Sequence, residues 1–357
     1  MSSPRPLRVG VVGLGDIAEK AYLPALVARG DVELTLMTRT LVSLDRIGRH
    51  YGIPRRTTSL DRLLDGGIEV AFVHAATEAH GELVERLVAA GIHVLVDKPL
   101  APSLAQATDL VELAERRGVS LAVGFNRRHC PAYSPLAGLS PSVVLMQKNR
   151  AGLAAEPRRV VFDDFIHVID TVRFLMPPGD EEVSVWCSVS DGLLSSVTLG
   201  LHVRETTGLG VMNRMSGSNE EILEVLGNGY KHRVVDLVDV WRAEAGEPDE
   251  VRRLPRDGWT PVSTVRGFTA MCGAFLSSVR SGELLSARDS LRSHDIAEQV
   301  TAVAEAACSG PRGHRAEARS TVGLPAGPDR DGPAGLLVSL DRDAQPGPRH
   351  QRDSPST

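Results

Sequence analysis

The stretch Leu7-Arg-Val-Gly-Val-Val-Gly-Leu-Gly-Asp-Ile-Ala18 decides the fold. Leu7 to Gly13 is a short apolar run ending in glycine, the pattern of a buried strand. Gly13-Leu14-Gly15-Asp16-Ile17-Ala18 then fits G-x-G-x-x-A and leads into a helical run from Ile17 to Arg29, in which Pro24 predicts a kink. Between a strand and a helix these residues have a physical use. Gly13 permits the tight turn, Gly15 lets the backbone approach a pyrophosphate, and Ala18 lets helix and strand pack closely. The helix N-terminus adds unpaired N–H groups and the positive end of its dipole. Gly13, Gly15, Asp16, Ile17 and Ala18 are therefore expected at a dinucleotide.

Outward from this turn, strand and helix patterns alternate. Strands are expected over Val32–Met37, Val70–Ala75, Val94–Val96 and Ser120–Gly124, and helices over Leu60–Asp65, Glu78–Ala90 and Ser103–Arg117. Such alternation implies a doubly wound parallel sheet, an α/β Rossmann domain over residues 1–125. From 126 to 310 the pattern changes. Strand-like runs at Val143–Met146, Val183–Val189, Ser195–Val203, Ile222–Leu226 and Val234–Val240 follow one another with few helices between them. That predicts an α+β domain with an open, mostly antiparallel sheet, with helices over Asp163–Leu175, Phe268–Val279 and Ala287–Ala307. Residues 311–357 are rich in Pro, Gly, Arg and Asp and are expected to be a disordered tail.

The formal net charge of −5 argues against nucleic acid or an anionic membrane as partner. No apolar run approaches the roughly 18 residues of a spanning helix. The N-terminus before the first strand has no secretory pattern. The four cysteines form no CxxC pair, so no metal site is expected and a cytoplasmic setting fits.

Two positions carry candidate chemistry. Val94-Leu-Val-Asp97-Lys98-Pro99 places a lysine at the carboxyl end of a parallel strand, one of only four in the chain, with Lys20, Lys148 and Lys231. An ammonium there can give a proton to a reacting oxygen or orient an alcohol, and burial would bring its pKa toward the working range. The same residue could be a strand-end lysine in water. In Asp163-Asp-Phe-Ile-His167-Val-Ile-Asp170, the helical spacing puts Asp163, His167 and Asp170 on one face. An imidazole held by carboxylates would serve as an acid–base group; the bland alternative is an acidic N-cap with a structural histidine. After the second strand stand Thr38, Arg39 and Thr40 with no carboxylate. A guanidinium flanked by hydroxyls suits a 2′-phosphate, so NADP(H) is favoured over NAD(H).

Together these motifs resemble the glucose-fructose oxidoreductase/inositol dehydrogenase/MocA (Gfo/Idh/MocA) family over residues 7 to 308. The resemblance rests on Gly10 to Ala18, His93-Val-Leu-Val-Asp-Lys-Pro99 and Asp163-x-x-x-His167-x-x-Asp170. Val73-His-Ala-Ala-Thr-Glu-Ala-His80, Gly124-Phe-Asn-Arg-Arg128, Gly210-Val-Met-Asn-Arg214 and Arg266-Gly-Phe-Thr-Ala270 are similar to its MviM-like subgroup. The resemblance implies Lys98, His167 and Asp163 as catalytic residues, and adds Thr77, His80, Asp97 and Asn126 to the cofactor site. Asp97 stands where the family often has glutamate, and Phe165 where it commonly has glycine. A sugar, aminosugar or cyclitol substrate is implied, within a homo-oligomer, a dimer or tetramer. Asp163, Asp164, Glu220 and Glu221 would suit an amino substituent, as in aminoglycoside-type metabolism. Two other functions stay open: a non-catalytic NAD(P) sensor, and a relative whose tightly held cofactor serves redox-neutral chemistry.

Overall fold

The computed structural model describes residues 5–246, 252–253, 258–309 and 320–322. Strands β1 (Leu7–Val12), β2 (Val32–Met37), β3 (Arg56–Thr57), β4 (Val70–Val73), β5 (His93–Val96) and β6 (Leu121–Val123) form one sheet in the order β3-β2-β1-β4-β5-β6. Every pairing in it is parallel. Val12 lies opposite both Met37 and Val73, Val73 opposite Val96, and Val96 opposite Val123. Thr57 lies opposite Met37, so all six strands finish on one line. Gly13, Thr38, Thr58, His74, Asp97 and Gly124 are the residues that leave it, with the strand order reversing between β1 and β4, where such sheets bind ligands.

The helix after the glycine turn is not uniform. Ala18–Tyr22 forms a π turn that runs on into helix α1 (Leu23–Val27); Pro24 offers no N–H there, and the carbonyl oxygen of Glu19, five residues earlier, accepts from the Tyr51 hydroxyl at 2.7 Å. The expected kink is thus a change of helix type. Helices α2 (Leu41–His50), α3 (Leu60–Asp65), α4 (Thr77–Ala89) and α5 (Leu104–Arg117) complete the alternation.

The second sheet contains, among the described residues, nine strands. They are β7 (Pro141–Asn149), β8 (Glu182–Ser190), β9 (Leu193–Val203), β10 (Thr206–Asn213), β11 (Glu220–Gly227), β12 (Tyr230–Val235), β13 (Asp239–Glu244), β14 (Arg252–Arg253) and β15 (Ser320–Val322). All its pairings are antiparallel except β7 with β10. Helix α6 (Pro157–Val160) precedes α7 (Ile166–Leu175), and α8 (Val262–Val265), α9 (Phe268–Ser281) and α10 (Arg288–Ser309) follow β14. Apart from β15, which pairs with β8, the tail expected to be disordered lies outside the described residues.

Helices α7 and α10 bury one face of this sheet. Strand β10 escapes the sequence patterns because of Gly208 and Gly210, residues that weaken a strand signal. A Cβ at Gly208 would lie 2.5 Å from Val172, and one at Gly210 2.8 Å from Val168, both on α7. The glycines let α7 approach the sheet. The other face alternates with it: Leu145, Trp186, Leu209, Val211 and Ile222 are half-buried there.

One helix from beyond residue 125 packs into the N-terminal core. Val70 and Phe72 of β4 face a core with Val9, Val11, Leu36 and Leu95, while Ala71 and Val73 face another under α3, α4 and α5. The first of these faces packs against Tyr22, Leu23 and Leu26 of the Ala18–Val27 segment and against Leu44 and Ile47 of α2. Helix α9 completes the layer: Phe268, Met271, Cys272, Phe275 and Leu276 are buried in that N-terminal core. All four cysteines are free. Among the described residues no helix is long and apolar enough to cross a membrane.

Candidate active site

A cleft of about 850 Å³ opens where the parallel strands finish. The glycine turn contributes Asp16 and Ile17 to its lining, the end of β5 contributes Asp97 and Lys98, and α7 contributes His167. Asn126 also lines it, and its Nδ2 donates to the Arg266 carbonyl oxygen at 2.8 Å.

The turn has the features a pyrophosphate requires. Gly13 has φ +87°, and a Cβ there would lie 2.5 Å from the Ala75 nitrogen and 2.7 Å from the His74 carbonyl carbon. Only glycine fits. A Cβ at Gly15 would meet nothing within 4 Å, so its backbone stands in open space at the start of the helical segment. Ala18 is buried beneath, and exposed Asp16 pairs with Lys20 at 2.5 Å. These residues fit a dinucleotide. Thr38 and Arg39 leave β2 on the same edge, and Arg39 is exposed with no side-chain partner among the described residues. Thr77 opens α4, half-buried. His80, expected at the cofactor, is buried. Its Nδ1 lies 2.8 Å from the Pro99 carbonyl oxygen and its Nε2 2.9 Å from that of Ala75. It ties the segment after β5 to the one after β4, and so positions Lys98.

Lys98 Nζ donates to the carbonyl oxygen of Asp163 at 2.5 Å and lies 3.5 Å from that of Phe162. Burial pushes its pKa down; Asp97, Asp163 and Asp164 oppose that shift. Asp97 moves the other way: burial raises its carboxyl, and Tyr22, itself held as the phenol by burial, donates to it at 3.2 Å. His167 is held well below its ordinary value, by burial first and then by Arg127, Lys148, Lys98 and Arg150. It is a neutral imidazole at the cleft wall, and its buried Nδ1 has no partner among the described residues.

The expected carboxylate face around His167 is not formed. Val161–Phe165 makes a π turn, which departs from the α-helical register that the i, i+4, i+7 spacing assumes. Asp163 is exposed, and its carboxylate lies 3.7 Å from Arg159. What Asp163 offers the cleft lysine is its carbonyl oxygen. Asp170 is buried in a bidentate pair with Arg128, at 2.6 and 2.9 Å, and accepts from Ser293. Of the carboxylates in the Asp163–Asp170 segment, the one that lines the cleft is Asp164, which is bonded to Lys148 at 2.5 Å and to Arg150 and Arg214 at 2.9 Å.

The acidic residues expected to hold an amine are thus already engaged. Glu221 is locked to Arg127 by bonds of 2.6 and 2.7 Å, and Glu220 accepts from Asn149 at 2.9 Å. Arg127, Lys148 and Arg150 of the cleft were missed by the sequence patterns. One signal was available: of the four lysines in the chain, Lys20, Lys98 and Lys148 all line this cleft.

Residues 7–125 match the model of the oxidoreductase family with an NAD-binding Rossmann fold (Gfo/Idh/MocA), and residues 138–246 that of the YceM-like C-terminal domain. "Putative oxidoreductase YceM" of Salmonella typhimurium is 33% identical over 288 residues, 78% of this chain and 91% of that one. Myo-inositol dehydrogenase Hyg17 of Streptomyces leeuwenhoekii is 34% identical over 198 residues, 52% of this chain and 59% of that one. The crystal structure of a Gfo/Idh/MocA family oxidoreductase from Vibrio cholerae has a TM-score of 0.75 at 30% identity, covering 85% of this chain and 97% of that one. With its parallel sheet, its glycine turn and these relatives, the chain belongs to the Gfo/Idh/MocA family of oxidoreductases.

Proposed function

We propose that the protein is an NADP(H)-dependent reductase or dehydrogenase acting at a carbonyl or hydroxyl of a sugar or cyclitol, in the cytoplasm. The observation that carries this reading is Lys98, half-buried at the carboxyl end of β5 with its ammonium in the cleft beside a neutral His167. When bound, the nicotinamide supplies a hydride to the carbonyl carbon or accepts one from the alcohol. In reduction, Lys98 gives its proton to the oxygen as the C=O electron pair moves onto it; in oxidation it takes that proton back. His167 directs a ring nitrogen at the same or a neighbouring hydroxyl. A nucleotide sensor without catalysis would have no use for a proton donor at that position.

Support for NADP(H) over NAD(H) is Arg39, exposed at the end of β2 between Thr38 and Thr40. Nucleotide titrations test it. Arg39→Asp is expected to weaken NADP⁺ about tenfold to a hundredfold more than NAD⁺, since a charge-assisted contact contributes on the order of 1.5–3 kcal/mol. Equal losses would take Arg39 out of the site. The half-buried face of the second sheet supports self-association into a dimer or tetramer, which light scattering would measure.

A further inference from the structure

His80, in helix α4, lies between two backbone oxygens. Its Nδ1 is 2.8 Å from the carbonyl oxygen of Pro99, and its Nε2 is 2.9 Å from that of Ala75. The residue is 1% exposed. A carbonyl oxygen only accepts, and a neutral imidazole has one N–H and one bare nitrogen. A neutral ring here would donate to one oxygen and set the lone pair of its other nitrogen against the second, at a distance where hydrogen bonds are made. Turning the ring over puts Cδ2 and Cε1 in the places of the nitrogens and leaves both oxygens without an N–H donor. The imidazolium, with a proton on each nitrogen, satisfies both oxygens at once.

The surroundings supply a counter-charge. The titratable groups that face His80 are His74, which leaves β4, and Asp97, which leaves β5. His74 is buried, its ring nitrogens have no partner among the described residues, and its ring lies on that of Tyr22 with centroids 3.8 Å apart. Burial, and behind it His80, pushes the His74 pKa down to about 3, so that ring adds no charge. Asp97 is the acid that remains. Its carboxyl is raised by burial, and Lys98, His80 and the Tyr22 hydroxyl oppose that rise. A buried charge persists where it is both paired and hydrogen-bonded, and the His80 ring has both.

We propose that His80 is a buried imidazolium, with Asp97 as its counter-ion, and a positioning residue that holds Lys98 by donating from both ring nitrogens to the backbone. Pro99 directly follows Lys98. Ala75 follows His74 and packs on the glycine turn, where its nitrogen is the atom that a Cβ on Gly13 would strike. The clamp thus reaches from the neighbour of the glycine turn to the lysine of the cleft. Loss of one ring proton breaks one of the two bonds and turns a donor into a lone pair facing an oxygen, so the Lys98 segment is held from both sides only while the ring is charged. The catalytic consequence rests on Lys98 being the proton donor; the charge on the ring stands without it.

Nitrogen NMR of the full chain tests the proposal without nucleotide or substrate, with histidine side chains labelled and His80 assigned through bonds to its own backbone amide. At pH 7 both His80 ring nitrogens should carry a proton, each seen as its own N–H correlation. Asp97→Asn should lower the pH at which the second proton leaves by about one unit or more, as loss of a nearby opposite charge does. The side-chain ε-carbon of Lys98, one of four lysine signals in the chain, should shift at the His80 midpoint as well as at its own. A bare ring nitrogen at pH 7 would overturn the imidazolium. A midpoint unmoved in Asp97→Asn would overturn the pairing, and a Lys98 signal that ignores the loss of the His80 proton would overturn the clamp. Failure of the hydride-transfer reading is a separate result: the protein would take up no nicotinamide nucleotide while His80 kept both protons.

Discussion

The ammonium of Lys98 is bonded to the backbone carbonyl oxygen of Asp163, 2.5 Å away. The lysine at the end of β5 is thereby tied to the segment that carries His167. Lys98→Met keeps the length of the side chain and removes the proton. Turnover should fall by about 10²–10⁴-fold, the usual contribution of a positioned acid, with nucleotide affinity nearly unchanged. His167→Ala should lower turnover too, with a larger rise in KM. The double variant should lose less than the product of the two. Wild-type turnover in Lys98→Met at saturating nucleotide and substrate would end this assignment.

Asp163 and Asp164 are neighbours with opposite fates, one exposed beside Arg159 and one holding three cations. Asp163→Asn should leave stability within about 0.5 kcal/mol of wild type and kcat/KM nearly unchanged, as for an ordinary surface position. Asp164→Asn leaves buried cations without their carboxylate and should destabilise the fold by about 3–5 kcal/mol, read from denaturant unfolding. The reverse ranking would mean that the π turn over Val161–Phe165 is not the working geometry.

The two glycines of the nucleotide turn should separate folding from binding. Gly13→Ala puts a methyl group 2.5 Å from the Ala75 nitrogen at φ +87°, and should cost on the order of 1–3 kcal/mol or more of stability. Gly15→Ala adds a methyl group to open space. Its melting temperature without nucleotide should stay close to wild type, while nucleotide affinity falls. Unchanged affinity in Gly15→Ala would move the pyrophosphate elsewhere.

Lys148 predicts a pH dependence of stability. Burial lowers its pKa from 10.5 in the free side chain to about 7 in the fold. Between those values the unfolded chain holds a proton that the folded chain has released, so raising the pH stabilises the fold. The limiting slope for one site is about 1.4 kcal/mol per pH unit. Lys148→Met removes the term. The unfolding free energy of wild type relative to Lys148→Met should therefore climb from pH 7 toward pH 10. A flat difference would show that Asp164 keeps the lysine charged throughout.

Much of the fold and part of the cleft were legible in the sequence, for reasons tied to local pattern. Gly13, Gly15 and Ala18 announce themselves because a strand-to-helix turn constrains consecutive residues. Lys98 stands out because Asp97 and Pro99 bracket it at a strand end. Asp163 misled because its spacing to His167 has meaning only in an α-helix, and a π turn intervenes. Lys148 and Arg150 carry no spacing of their own. They meet Asp164 only because β7 passes beside the π turn, a relationship set by tertiary packing. Strand β10 was hidden by glycines that α7 requires, and α9 read as an ordinary late helix because a helix's pattern does not say which sheet it will cover.

That last feature bears on how the chain is made. A ribosome releases β1 to β6 long before Phe268–Ser281 emerges, so the nascent Rossmann sheet has one face without its full cover: Val70, Phe72 and Leu95 wait for Phe275 and Leu276. The first 125 residues synthesised alone should be poorly soluble, while adding the α9 segment as a separate peptide should rescue them. The N-terminal sheet cannot be fully covered until residues through Ser281 have been made, which ties its folding to synthesis of the second domain.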